Sequence, residues 1–421
     1  VSFAGDSSRI QALDVARGLA VFGILLMNMQ FYSTPLDAIE WAFELWPAFW
    51  DRWTRVLLRI FAEGKFISLF SLLFGYSMVL FRDRAVERGL RFGRLWLRRM
   101  LTLLALGLCH GLFIWYGDIL FHCGILGLFL FLFHKRSPKT LYIWATALLA
   151  VMPVLLLLML AAPAKGPGDA LDAVEEGTAA GGIVYRPDEA SLEEAIASAN
   201  QVYGGSDLRA IHRQRTADWT EHVLSHIGYY PTLLGLFLLG AGLAKQRFLH
   251  DAGVSQKELK RLAVASGTVG FGVTLLAYVL TLFPHAAARP EYNIVYEGMQ
   301  IFLGAPATGL CYLTAVALAV HRHVWPKLLQ ALAGVGRLSL SNYIAQSLTC
   351  TWIFYGYGLG LFGKVGPFAT SGLAVLIYAV QIAWSRWWVA RFRLGPLEWL
   401  WRAATYWSLP SLRYPTQQIS A

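Results

Sequence analysis

Long apolar runs alternate with short polar stretches along most of this chain. Crossing the hydrocarbon layer as a helix takes about 20 mostly apolar residues. Runs of that kind fall near residues 13–33, 53–81, 100–116, 119–134, 140–162, 227–244, 262–284, 296–320, 335–357 and 367–390. The fourth is short, which predicts a tilted or irregular element. Backbone N–H and C=O groups find no partner in lipid, so each run is expected to be helical. The pattern predicts an all-α, polytopic transmembrane bundle of about ten spans. Spans one to five fall in residues 1–162, an extracytoplasmic segment in 163–226, spans six to ten in 227–394, and a cytoplasmic tail in 395–421.

The polar stretches set the orientation. Arg82, Arg84, Arg88, Arg91, Arg94, Arg98 and Arg99 crowd the loop 82–99. Lys135, Arg136 and Lys139 follow two spans later, then Lys245, Arg247, Lys257, Lys260 and Arg261, then Arg391, Arg393 and Arg402. The alternate loops are acidic: Asp37, Glu40, Glu44 and Asp51 lie after the first span, and 163–226 holds roughly two acidic residues per basic one. Basic loops stay on the cytoplasmic side, which places both termini there. The first run, Leu13 to Tyr32, contains Asp14 and Arg17 and lacks a small-residue cleavage site, so it reads as a span and not as a removable signal. Pro163 to Gly182 reads as a linker, and 188–226 as one or two amphipathic helices starting near Ser191-Leu192-Glu193-Glu194. These helices would form either a cap on the outer surface or a lid over a site. Residues 66–82 (FISLFSLLFGYSMVLFR) faintly echo 231–247 (PTLLGLFLLGAGLAKQR) in glycine placement and closing Arg.

Composition agrees. Of 421 residues, 56% are hydrophobic and only 15% charged, where soluble domains carry about a quarter charged. Many of the Trp, Tyr and Phe fall near run ends, as interfacial belts do. The net charge of +10 does not indicate nucleic acid, because the basic residues sit in short loops between apolar runs. Cys109, Cys123, Cys311 and Cys350 lie inside predicted spans without CxxC spacing and read as small apolar residues. No cluster of metal-ligating residues at credible spacing appears in the sequence, so no metal is expected.

Ionisable residues inside spans are costly and become functional candidates. Asp14 and Arg17 are three apart on one helix at its inner end, where they can pair or reach a bound anion, and Asn28 lies deeper on the same run. Glu63-Gly64-Lys65-Phe66 predicts either a kinked span with an outer salt bridge or a break whose charges line a cavity. Cys109-His110-Gly111 lies in the third run, with His110 about two turns below its outer end, and Tyr116-Gly117-Asp118 forms the outer turn. His110 can take and give a proton near neutral pH. Asp118, eight residues on, can orient its imidazole only through a tertiary contact; the bland alternative is a satisfied structural histidine. Gly334 to Tyr343, with Arg337, Ser339 and Asn342, followed by Gln346, predicts a glycine-flanked helix start suited to an anion, or a polar packing seam. His122, His134, His321 and His323 fall near predicted membrane boundaries and are expected to stand apart.

These stretches resemble the YeiB-like family of bacterial inner-membrane proteins. The resemblance rests on Arg9-Ile10-Gln11-Ala12-Leu13-Asp14-Val15-Ala16-Arg17-Gly18-Leu19-Ala20, on Glu63-Gly64-Lys65-Phe66 with Leu69-Phe70-Ser71-Leu72-Leu73-Phe74-Gly75, and on Tyr116-Gly117-Asp118-Ile119-Leu120. It continues in Gly336-Arg337-Leu338-Ser339-Leu340-Ser341-Asn342-Tyr343 and Gly395-Pro396-Leu397-Glu398-Trp399-Leu400-Trp401-Arg402. The family is similar in turn to transmembrane acyltransferases that include the lysosomal heparan-glucosaminide N-acetyltransferases. That resemblance implies a multi-pass protein of the bacterial inner membrane that moves an acyl group, acetyl first of all, from cytosolic acyl-CoA to an extracytoplasmic acceptor. The polar residue that follows the Arg-Gly motif in those enzymes is matched here by Asn28, but the His they carry in the next outer loop has no counterpart in 29–52.

The reading that follows makes His110 the general base, Asp118 its orienting partner and Asn28 the donor to the thioester oxyanion; an acyl-histidine is the other order of events. Asp14, Arg17, Lys65, Arg82, Arg337, Ser339 and Asn342 are the candidates for holding acyl-CoA. Partners are membrane lipids, acyl-CoA and an acceptor of unspecified class; a homodimer is allowed by the sequence. The alternatives are a transporter or flippase of a small or lipid-linked solute, and a scaffold that binds a partner through 163–226.

Overall fold

The computed structural model describes residues 10–40, 45–161, 189–250, 255–282 and 290–414. The predicted linker 163–182, Arg9 and Glu44 lie outside the described residues. The helices are α1 (Gln11–Ser33), α2 (Leu36–Glu40), α3 (Phe49–Phe61), α4 (Lys65–Glu87), α5 (Phe92–Phe113), α6 (Leu120–Leu130), α7 (Pro138–Ala161), α8 (Glu189–Gly204), α9 (Leu208–Ser225), α10 (Tyr230–Lys245), α11 (Gln256–Thr281), α12 (Pro290–Met299), α13 (Ala305–His321), α14 (Pro326–Arg337), α15 (Ser339–Phe354), α16 (Pro367–Val389) and α17 (Pro396–Tyr406). Among the described residues the only β pairing is one isolated bridge, Phe392 with Arg413.

Among the described residues, eight stretches are long and apolar enough to cross a membrane. Their outward faces are apolar: Ile143, Trp144, Leu155 and Leu158 on α7, Leu275 and Leu276 on α11, Val375, Leu376 and Val380 on α16. Apolar patches of this extent are rare on proteins that face water and are the matched surface in lipid. The chain is therefore a polytopic helical membrane bundle.

Four expected spans are interrupted. In 53–81, Gly64 at φ 73° separates α4 from α3. The α3 helix leaves Phe49, Trp50, Trp53, Leu57 and Phe61 exposed, as an interfacial helix would. The short fourth run is α6 closed by a 3-10 turn, Phe131–Phe133, and the run 296–320 carries a π-turn at Gln300–Gly304. In 335–357, Leu338 divides α14 from α15. Gly334, Gly336 and Arg337 therefore close one helix instead of opening the next. With 16 residues, α15 is about 24 Å long, shorter than the hydrocarbon layer.

α1 lies at the centre, packed by α4, α13, α14, α15 and α16. Against α14, Gly18 abuts the Leu332 carbonyl and Gly336 abuts the Asp14 carbonyl, leaving no room for a Cβ at either. The faint sequence echo falls on the pair α4 and α10. Leu72 and Gly75 on α4 align with Phe237 and Gly240 on α10, and each glycine sits against the other helix's aligned carbonyl: Gly75 on Phe237, Gly240 on Leu72.

The tail folds back onto the bundle. Glu398 of α17 accepts hydrogen bonds from the amides of Leu340 (2.8 Å) and Ser341 (3.1 Å) and from the Ser341 hydroxyl (2.5 Å). The anion at the N-terminus of α15 is thus the chain's own carboxylate, placed where the helix dipole favours it. Burial pushes the Glu398 carboxyl up while these hydrogen bonds pull it down. Removing the cap strands two amides, so Glu398→Ala should cost about 2 kcal/mol and lower the thermal midpoint of the purified protein; Glu398→Gln, which keeps an acceptor, should recover part of it.

Candidate functional site

The third span, α5, ends at Phe113, so His110, expected about two turns below the outer end, lies in the last turn. Gly107 allows the turn after α5 to fold back tightly: a Cβ there would lie 2.3 Å from the Phe121 amide nitrogen and 2.8 Å from Asp118 Oδ2. That approach brings Asp118 to His110, Oδ1 to Nδ1 at 2.8 Å. Oδ2 is held by the Phe121 N–H at 2.6 Å. On its other side His110 Nε2 lies 2.8 Å from Ser347 Oγ of α15, and Ser347 Oγ lies 2.7 Å from the Tyr32 hydroxyl of α1. The Asp118 carboxylate accepts from Nδ1–H, so Nε2 carries the lone pair and Ser347 can donate to it. All four side chains are buried. The array Asp118–His110–Ser347 has the connectivity by which a histidine activates a hydroxyl. Ser347 was missed by the sequence reading; it lies one turn beyond Tyr343, and a lone serine inside a span carries no signal of its own.

A small cavity of ≈ 70 Å³ lies between α1, α4, α5, α6, α15 and α17 beside this array. Val21 and Ile24, Phe70 and Phe74, and Leu103 form its apolar shaft. Tyr343 lines it as well, and its ring stands 5.1 Å from that of His110. At the end where α1 begins, each shaft helix carries a polar group one turn below: Arg17 on α1, Ser77 on α4, Arg99 on α5. Arg17 donates to Ser77 at 2.6 Å and pairs with Asp14 at 3.4 Å. Arg99 stacks 3.5 Å over Trp401, itself a lining residue, and Arg17 and Arg402 are close enough to repel it. The mouth is basic and the shaft apolar.

Ser339 lines the cavity near its mouth. Arg82 donates to the His134 carbonyl at 2.5 Å and Arg337 to the Tyr414 hydroxyl at 2.8 Å. Asn342 joins three helices, donating to Ser385 Oγ (3.0 Å) and the Val335 carbonyl (3.3 Å) and accepting from Gln381 (2.9 Å). Asn28 is half-buried, one turn below Tyr32 on α1, and no hydrogen bond joins it to the array. Lys65 begins α4, at the end opposite Arg82, is fully buried, and donates to the Arg59 carbonyl at 2.6 Å. It stands apart from the basic mouth; Arg99 and Arg402 are there instead.

Residues 188–226, expected to hold one or two amphipathic helices, contain two, α8 and α9, and α9 packs on α5. Arg215, almost fully buried, donates to the carbonyls of Leu112 (2.8 Å) and Ile114 (3.3 Å), a cation at a helix C-terminus. His222 Nε2 donates to the Asp118 carbonyl at 3.3 Å.

The profile of a family described as a protein of unknown function, DUF418, matches residues 243–408. Along nearly the whole chain, 36% of residues are identical to those of the uncharacterized protein YxaH of Bacillus subtilis (strain 168), over 416 residues and 95% of each protein. The chain belongs to the DUF418 family. The uncharacterized protein YeiB of Escherichia coli (strain K12) is 30% identical over 408 residues, covering 93% of this chain and 95% of YeiB, which makes the family YeiB-like. No solved structure matches the chain. The DUF418 match contains Ser347 and Glu398, while Tyr32, His110 and Asp118 lie in the half before it. The array is therefore assembled from both halves of this DUF418 protein.

Proposed function

We propose that this DUF418 protein is an acyltransferase of the bacterial inner membrane that takes an acyl group, acetyl first, from acyl-CoA at the basic, cytosolic mouth and passes it to an acceptor on the far side. The observation that carries the proposal is His110 bracketed by Asp118 and Ser347, at 2.8 Å on either side, beyond the end of an apolar shaft whose mouth is ringed by guanidinium groups. The CoA phosphates pair with Arg17, Arg99 and Arg402, for which the planar fork of Arg is suited. The pantetheine arm lies along Phe70, Phe74 and Leu103 and brings the thioester past Tyr343.

Ser347 Oγ attacks the thioester carbonyl as its proton passes to His110 Nε2. The tetrahedral intermediate collapses, the C–S bond breaks, and the imidazolium returns the proton to the thiolate, giving CoA–SH and acyl-Ser347. The Tyr32 hydroxyl, already 2.7 Å from Ser347 Oγ, donates to the developing oxyanion in place of Asn28. An acceptor hydroxyl or amine entering from the far side then gives its proton to His110, attacks the acyl ester and leaves with the acyl group while Ser347 regains its proton. Asp118 stabilises the imidazolium in both halves.

The first test is calorimetric titration of acetyl-CoA into the purified full-length protein in nanodiscs. Micromolar binding is expected, weakened about tenfold by Arg99→Ala through loss of one charge-assisted phosphate contact. A folded protein that binds no acetyl-CoA at millimolar concentration sinks the donor reading; solute counterflow indifferent to CoA would then favour transport.

A further inference from the structure

On the far face, next to the turn that carries Asp118, three histidines from separate parts of the chain converge. His122 comes from the first turn of α6, His222 from the last turn of α9, and His226 from the 3-10 turn that leads into α10. One ring nitrogen of each lies within 4.8 Å of the other two. The ring centroids of His222 and His226 are 4.0 Å apart, and His122 is 5.4 and 5.2 Å from them.

One ring nitrogen of each histidine is already committed. His226 Nδ1 bonds the His222 carbonyl at 2.8 Å and His222 Nε2 bonds the Asp118 carbonyl at 3.3 Å. Carbonyls only accept, so the protons sit on those two nitrogens and leave lone pairs on His226 Nε2 and His222 Nδ1. His122 Nδ1 pairs with the Tyr230 hydroxyl at 2.9 Å. Its Nε2 is buried and has no hydrogen-bond partner among the described residues, on a side chain only 2% exposed. Orphaned buried nitrogens are uncommon and call for an explanation. Metal-bound histidines characteristically donate their second N–H to a carbonyl or other acceptor, which fixes the ring and the tautomer.

We infer that His122, His222 and His226 form a binding site for a divalent transition-metal ion, zinc by the chemistry of its donors. Imidazole nitrogens suit Zn²⁺, Cu²⁺ and Ni²⁺ better than Mg²⁺ or Ca²⁺. Nitrogens bound to one tetrahedral Zn²⁺ are about 3.3 Å apart, so the rings draw inward by small rotations on binding. Three protein ligands leave a fourth position for water. The ion ties α9 and the start of α10 to α6, and through His222 it steadies the turn that presents Asp118. Only His122 had been singled out in the sequence, as uninvolved. His222 and His226 are four apart at a helix end, a ligand spacing, but their third partner lies about a hundred residues upstream. The site stands independently of the acyl-transfer reading.

The test uses the full-length protein without a polyhistidine tag, stripped with chelator in nanodiscs and titrated with Co²⁺ and Zn²⁺. One equivalent of Co²⁺ is expected, with the intense visible bands of a tetrahedral nitrogen site, displaced by Zn²⁺. His122→Ala should weaken uptake by about tenfold or more. In the wild-type protein loaded with Cu²⁺, electron paramagnetic resonance should resolve coupling to several equivalent imidazole nitrogens, a readout that needs no variant to fold. Folded wild-type protein that takes up no stoichiometric metal overturns the inference, as does Cu²⁺ coupled to at most one nitrogen. Equal uptake by a folded His122→Ala variant also overturns it.

Discussion

Ser347→Ala should lower acyl transfer by roughly three orders of magnitude while leaving acetyl-CoA binding intact, and His110→Asn should do the same. Both remove a member of one proton path, so the double variant should be little worse than either single one. Ser347→Ala is the cleaner probe. It removes one buried hydroxyl and strands the Tyr32 hydroxyl and His110 Nε2, at a cost of about 1–3 kcal/mol. His110→Asn leaves the Asp118 carboxylate buried without its imidazole, which costs more. Thermal midpoints of both variants must therefore accompany the rates, and the expected split is a collapse in kcat with KM for acetyl-CoA nearly unchanged. Mass spectrometry of a single turnover without acceptor should find one acyl group on the peptide containing Ser347. A folded Ser347→Ala variant that transfers at the wild-type rate would remove the acyl-serine and leave direct transfer with His110 as base. A folded His110→Asn variant at the wild-type rate would reduce the whole array to a buried packing network.

The bundle was legible because its cause is local. A run of about 20 apolar residues must be helical in lipid wherever it sits, and the basic loops between runs orient it. The breaks were less legible. Gly64 looks the same in the sequence whether it kinks a span or ends it, and Leu338 carries no stop signal at all, yet it divides α14 from α15. His110 and Asp118 could be paired from the sequence because they flank one tight turn. Ser347, which comes from α15, and Arg99, which read only as one of many topology-setting arginines, become site residues through tertiary contacts alone. The start of α15, which read either as suited to an anion or as a polar packing seam, bonds Glu398, some sixty residues away; only the fold of α17 brings it there. Lys65 was grouped with the donor-binding residues by charge and is separated from them by the length of α4.

The second large effect concerns packing. In a solvent-exposed helix Gly→Ala stabilises by about 1 kcal/mol, so Gly75→Ala and Gly240→Ala would be stabilising were these helices isolated. The opposite sign is expected here. A Cβ at Gly75 would lie 1.8 Å from the Phe237 carbonyl oxygen, and one at Gly240 would lie 2.0 Å from that of Leu72. Both obstacles are backbone, which cannot rotate aside, so α4 and α10 must separate. Overpacking of this kind costs about 1–3 kcal/mol or more. Each single variant should therefore lower the thermal midpoint in nanodiscs. The double variant should fall short of the sum, because one separation accommodates both methyl groups. Gly272→Ala and Gly372→Ala, where a Cβ meets nothing within 4 Å, serve as controls and should be neutral or stabilising. The same displacement reaches the proposed donor shaft, since Phe74 stacks on Phe237 at 4.6 Å and lines the cavity with Phe70. Acetyl-CoA affinity should then drop with stability in the Gly75 and Gly240 variants and hold in the controls. If Gly75→Ala instead raises the midpoint, the two helices are not held at this distance, and the shaft between α4 and its neighbours loses its wall.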